Sequence, residues 1–241
     1  PPELEKSPTN RVRAGLFDFF REHPRQALQL FGLTAAPALA FYVWTAYLPT
    51  YASITVGFDL KRGLLTGVIS LAVFLVLQPV FGALSDKVGR KATYAVFFLL
   101  GPLLYASVPF AGKIGSVTLF VACTAIILTM YGGGFATIPA YISDIFGTQY
   151  VGAIHGRLLT AWSAAGIMGP ELVNKLREYQ IGRGVDPAQS YNFTMYLMAG
   201  LLLIALVANL AISRVHERYH MSAEELDREH QALLHASVAK P

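Results

Sequence analysis

Residues able to do chemistry are few in this 241-residue chain, and they cluster between long apolar runs. The densest group is residues 82–93, Gly-Ala-Leu-Ser-Asp-Lys-Val-Gly-Arg-Lys-Ala-Thr. Gly82, Asp86, Gly89, Arg90 and Lys91 form a Gly-x-x-x-Asp-x-x-Gly-Arg-Lys turn. Such a turn carries charge where a bilayer tolerates it, at the interface. It also supplies a small residue for close helix packing and a glycine for a tight reversal. Glu171, after Gly169-Pro170, is either a protonatable coupling group or a residue near the outer interface, one turn before Lys175; the second reading is preferred. His155 has no second ligand at helical spacing and reads as a helix-start or loop residue. His216, His220 and His230 are too loosely spaced for a metal site. Cys123, the one cysteine, lies in an apolar run and packs as a small apolar residue. The sequence contains no nucleophile-base pair, no metal-ligand cluster and no phosphate loop, so it is not read as an enzyme and no cofactor is expected.

The elements that must position these residues follow from composition. Hydrophobic residues make up 54% of the chain and charged residues 14%, where a soluble domain carries about 25% charged residues. Short charged clusters separated by long uncharged runs predict an all-α membrane protein. The net charge of +4 does not imply nucleic acid, because the basic residues flank apolar runs instead of forming one patch.

Six spans are predicted. The first lies near Ala27 to Tyr47, before Pro49; the next two follow at 63–85 and 92–112, the latter kinked at Pro102 and Pro109. The fourth, 114–143, is expected to bend or unwind at Gly132-Gly133-Gly134 and Pro139. The fifth, about 154–176, is interrupted at 169–171. The sixth is 191–213, with Asp186-Pro187 as N-cap and first-turn proline. A polar, basic segment, 1–25, includes a mildly amphipathic stretch at 14–22 suited to a membrane surface. The six-helix unit is then 26–213, and a charged tail, 214–241, starts a short helix at Ser222. With both termini on one side, thirteen of the nineteen Lys and Arg fall there, which the positive-inside rule makes the cytoplasmic side of a cell membrane. The opening Pro1-Pro2, without methionine, reads as part of a longer protein.

The turn from Gly82 to Lys91 resembles the cytoplasmic-loop signature of the major facilitator superfamily, with Lys87 where an arginine is also common. That signature lies between the second and third helices of each six-helix half. The resemblance implies one half of a twelve-helix carrier, the C-terminal half, whose partners are a missing N-terminal six-helix half, the bilayer, a small organic anion and, in some members, protons. Two subfamilies are visible. Residues 14–90, including His23-Pro24-Arg25-Gln26, Phe41-Tyr42-Val43-Trp44-Thr45 and Leu77-Gln78-Pro79, resemble metabolite:proton symporters of the 2-oxoglutarate and proline/betaine type. Residues 91–221, including Met130 to Tyr141, Phe146 to Arg157 and Thr160-Ala161-Trp162-Ser163, resemble the oxalate/formate antiporters. A mosaic gene and a single intermediate lineage both fit.

The resemblance implies alternating-access transport of a mono- or dicarboxylate, by symport or antiport. A carrier of this kind needs cationic or hydrogen-bonding groups near mid-membrane. The family's basic residue in its eighth helix is absent from 63–85, and the eleventh holds only Arg157, near its cytoplasmic end. That departure points away from oxalate. The remaining substrate-binding candidates are Tyr42, Trp44, Tyr47, Gln78, Tyr131, Trp162 and Ser163, with Tyr131 and Trp162 ranked first. Trp44 and Tyr47 are alternatively part of an interfacial aromatic belt, Gln78 a structural hydrogen bond, and the triple glycine a close-packing site. Asp86 is expected against the first turn of the eleventh helix near Ile154, with Arg157 or Arg90 completing a latch that opens and closes one side. The alternative to a carrier is a non-transporting sensor, or a half-length remnant that needs a partner half.

Overall fold

The computed structural model describes residues 24–213 together with Ser222, Glu224, Asp227, Arg228 and Gln231. The expected surface stretch at 14–22 and the tail histidines lie outside the described residues. Among the described residues there are six long helices and no strand. They are α1 (Pro24–Tyr51), α2 (Leu60–Val88), α3 (Arg90–Lys113), α4 (Val117–Phe146), α5 (Val151–Gly182) and α6 (Asn192–Ala211). A π-helical turn, Ala52–Val56, prolongs α1, and a 3-10 turn, Thr148–Tyr150, precedes α5. Five of the six helices are long and apolar enough to cross a membrane. The remaining helix, α5, is as long, but Arg157, Glu171, Lys175, Arg177 and Glu178 make it more polar.

Lipid chains are as apolar as leucine, so close contact and internally satisfied polar groups hold helices together here more than exclusion of water does. α2 packs chiefly on α4, α3 on α6, and α1 on α5 and α6. α2 turns a seam of small residues inward, Gly63, Thr66, Ser70 and Ser85, while Leu64, Val68, Leu75 and Val76 stay exposed. The seam repeats at helical spacing, and the exposed apolar side suits a bilayer. Some helix hydroxyls are satisfied within their own helix: Thr34, Thr66, Thr124 and Thr137 each donate to the carbonyl four residues back, whereas Ser70 and Ser85 are buried without a partner.

Three expectations change. α4 runs unbroken through Gly132, Gly133, Gly134 and Pro139. A Cβ on Gly132 would collide with the Phe74 ring, and one on Gly133 would sit 2.8 Å from Phe81. The glycines therefore admit α2's rings, and this contact offsets their propensity cost of about 1 kcal/mol each. α5 likewise passes through Gly169-Pro170-Glu171 without interruption; in a bilayer a broken turn would expose more unpaired backbone than the single N–H that proline lacks. Asp186 does not cap α6. Its carboxylate accepts from Ala188 N within a turn, and the helix starts later, after Tyr191.

Candidate transport site

Two groups of polar and aromatic side chains stand out. The first lies where α2 turns into α3. One residue, Gly89, joins them at φ +94°, a conformation open to glycine and strained for others. The short joint places Arg90 one turn after Asp86. Arg90 donates from Nη2 to Asp86 Oδ1 at 2.7 Å and from Nη1 to Asp144 Oδ2, at the end of α4, at 2.9 Å. One guanidinium thus ties α2, α3 and α4. Beside it Lys91 Nζ donates to Ile212 O at 2.8 Å, and Asn209 Nδ2 donates to Lys91 O at 3.0 Å. Tyr141 OH in turn donates to Asn209 Oδ1 at 2.8 Å. Asn209 and Tyr141 are buried, so α3, α4 and α6 share a closed polar chain at this end.

Of the expected latch, the structure shows Asp86 meeting Arg90, one of the two expected partners. Ile154 is buried in the core. The second anion is Asp144, which sequence reasoning missed, although it is the first charge after the apolar run ending at Ser143. Gly82 is not a close-packing glycine either. A Cβ there would meet nothing within 4 Å, because the approach of α2 to α4 is made by Phe74 and Phe81.

The second group is interior. Trp162 Nε1 of α5 donates to Tyr131 OH of α4 at 2.7 Å. Phe41 of α1 stacks on Tyr131 with centroids 3.9 Å apart, and Phe135 meets Trp162 edge-on at 5.5 Å. The two first-ranked residues are thus bonded to each other. Phe41 and Phe135 were missed; Phe135 stands one turn from Tyr131, a spacing that marks the same helix face. Phe41, Tyr94, Tyr105, Met130, Tyr131 and Trp162 are among the residues bordering a cavity of about 60 Å³. Typical ligand pockets are about 300–1,000 Å³, so a substrate enters only if these rings separate. Tyr94 and Tyr105 donate to the Gly134 and Ala40 carbonyls. Tyr131, which accepts from Trp162, keeps its own proton to give.

The other candidates are dispersed. Tyr42 meets Phe41 edge-on at 5.5 Å and covers Gly166 of α5. Trp44 is a core residue, 1% exposed, against Tyr105 and Phe120. Tyr47 OH donates to Pro170 O at 3.0 Å. Ser163 is exposed and donates back to Leu159 O. Gln78 is half-buried on α2. Glu171 pairs with Lys175 at 2.9 Å, both exposed. His155 lies 6.3 Å from the Trp162 ring, and among the described residues no group of three metal-ligating side chains occurs.

Comparison with known proteins adds lineage. The family model described as Major Facilitator Superfamily matches residues 1–170. The chain is 31% identical over 139 residues to the oxalate:formate antiporter of Oxalobacter formigenes, covering 53% of this chain and 33% of that protein. It is 32% identical over 115 residues to the alpha-ketoglutarate permease of Escherichia coli (strain K12), covering 44% and 26%. Over 221 residues it is 28% identical to the inner membrane metabolite transport protein YhjE of the same organism, covering 88% and 47%. The chain spans less than half the length of each of these relatives.

Proposed function

Because the chain belongs to the major facilitator superfamily, we propose that it is a six-span unit of a secondary carrier that moves a small organic anion by alternating access. The carrying observation is the Trp162–Tyr131 hydrogen bond between α4 and α5, beside a cavity bordered by aromatic rings. Tyr131 has a hydroxyl proton free to meet a carboxylate, and Trp162 fixes its direction. Opening the rings would admit the anion, and the stack of Phe41 on Tyr131 would re-form behind it. α1, α4 and α5 supply these groups, so relative motion of α5 and α4 is the step that exposes them.

The Arg90 clamp on Asp86 and Asp144 serves as the latch of one side. In this reading α5 is the remaining span, the termini face the cytoplasm across an inner membrane, and 1–25 and 214–241 flank the six-helix unit. A further six-helix half completes the cavity and supplies the cation that the residues bordering the cavity lack. Likeness to both an antiporter and a permease supports anion transport coupled to exchange or to protons. The absence of a basic residue from α2 between Gly63 and Ser85 favours a monocarboxylate.

The test is uptake of labelled formate, pyruvate, oxalate and 2-oxoglutarate into proteoliposomes, with and without a pH gradient, using the chain in its full-length protein. Uptake of a monocarboxylate that falls in Trp162→Phe supports the reading. No uptake of any of the four, or uptake indifferent to both Trp162→Phe and Tyr131→Phe, overturns it.

A further inference from the structure

A second, larger cavity lies at the end of the bundle opposite the Gly89 joint. It is a cleft of about 570 Å³ between the end of α3, the turn after α1 and the start of α6, bordered by Thr55, Phe110, Lys113, Gln189, Asn192 and Tyr196 among others. Its size falls in the ligand-pocket range of about 300–1,000 Å³. It shares no bordering residue with the Tyr131–Trp162 cavity.

The cleft has one kind of charge. Lys113 is exposed and makes no ion pair or hydrogen bond among the described residues, and no carboxylate borders the cleft. Asp186, in the turn beside it, is engaged by Ala188 N. Thr55 donates to Ala188 O, which fixes that turn against the end of α1. Asn192 borders the cleft, and its Oδ1 has no hydrogen-bond partner among the described residues, so a small turn of this side chain would offer a headgroup hydroxyl an acceptor. Below the polar rim the surface is apolar: Phe110 is 60% exposed and Tyr196 53%. Leu103 and Leu203 are also exposed along the same two helices. A cation at a helix end above an apolar groove has the polarity of a phospholipid, with a phosphate at the top, a donor-bearing headgroup beside it and acyl chains beneath.

We propose that this cleft binds the headgroup of an anionic phospholipid of the surrounding bilayer. Lys113 takes the phosphate, Asn192 takes a headgroup hydroxyl, and Phe110 and Tyr196 flank the acyl chains. The proposal depends on the chain lying in a bilayer and not on what it carries. Phosphatidylglycerol, with both a phosphate charge and free hydroxyls, is the probe.

The full chain in mild detergent is titrated with phosphatidylglycerol, phosphatidylcholine or inorganic phosphate. Bound lipid is counted by native mass spectrometry, and thermal unfolding is followed in parallel. The expected result is selective binding of phosphatidylglycerol with a rise in unfolding temperature. Affinity should be about fivefold weaker in Lys113→Ala, as for one surface cation, retained in Lys113→Arg and unchanged in Lys61→Ala. Equal binding of the two lipids, an unaltered preference in Lys113→Ala, or full protection by inorganic phosphate alone would each overturn it.

Discussion

Where α2 turns into α3, the helices are held by charge: Arg90 between Asp86 and Asp144, with Lys91 and Asn209 reaching backbone carbonyls. At the far end the hydrogen bonds between helices are neutral. Tyr51 OH donates to Val108 O, Tyr47 OH to Pro170 O and Thr55 Oγ1 to Ala188 O, within a set of rings that includes Tyr191 and Phe120. Arg177 lies over the Tyr191 ring, 5.5 Å from its centroid. The contrast is physical. Partly exposed ion pairs weaken when water and salt reach them, whereas hydroxyl-to-carbonyl bonds within aromatic packing do not depend on ionic strength. The Gly89 end should therefore loosen with salt before the far end does.

The largest effect should come from a change that separates α2 from α4 between these two ends. Gly133→Val would place atoms against Phe81 and Phe97, whose nearest atoms lie 2.8 and 2.9 Å from a Cβ there. Overpacking of that kind costs about 1–3 kcal/mol, read as a lower unfolding midpoint in detergent. Gly82→Ala, on α2 but facing open space, should instead gain up to about 1 kcal/mol from helix propensity. If both destabilise equally, the packing account of the glycines fails.

Next comes Arg90→Ala, which leaves two carboxylates without their shared cation. A charged hydrogen bond contributes about 1.5–3 kcal/mol, but Asp86 is 65% exposed, so a loss of about 1–2 kcal/mol for the pair is expected after solvent screening. The loss should shrink at high salt. Tyr51→Phe, at the far end, removes one neutral bond worth about 1 kcal/mol, and its effect should be the same at low and high salt. A salt-independent Arg90→Ala would erase the distinction between the two ends. Smallest is Lys175→Ala. It breaks a pair exposed at 72% and 63% and should shift the unfolding midpoint by less than about 0.5 kcal/mol. A larger loss would restore Glu171 as a group with a role inside the protein.

The parts legible in the sequence were those written by charge and period. Apolar runs marked the helices, the Gly82–Lys91 pattern marked the turn and Arg90 as a partner of Asp86, and the interval from Glu171 to Lys175 marked their pairing. Contacts between distant helices were not legible. Asp144 reaches Arg90 across 54 residues, and Asn209 reaches Lys91 across 118, so no local spacing connects them. The glycines and prolines misled for a related reason. Locally they weaken a helix, but Gly132 and Gly133 are filled by rings from α2, and Pro170 sits in a helix that α1 supports from outside. In the aromatic site Tyr131 and Trp162 were picked as polar aromatics within apolar runs. Phe41, lacking any polar atom, gave no such signal.

The single residue between α2 and α3 also determines which changes of length the chain can accept. An α-helix turns about 100° per residue, so one residue added at Gly89 would rotate Arg90 and Lys91 away from Asp144 and Ile212 at once. No slack exists there to absorb it. The connection from Gly182 to Asn192 carries intervening residues arranged as turns and can lengthen without turning either helix. Insertions and deletions among natural variants should therefore be purged from the first joint and tolerated in the second.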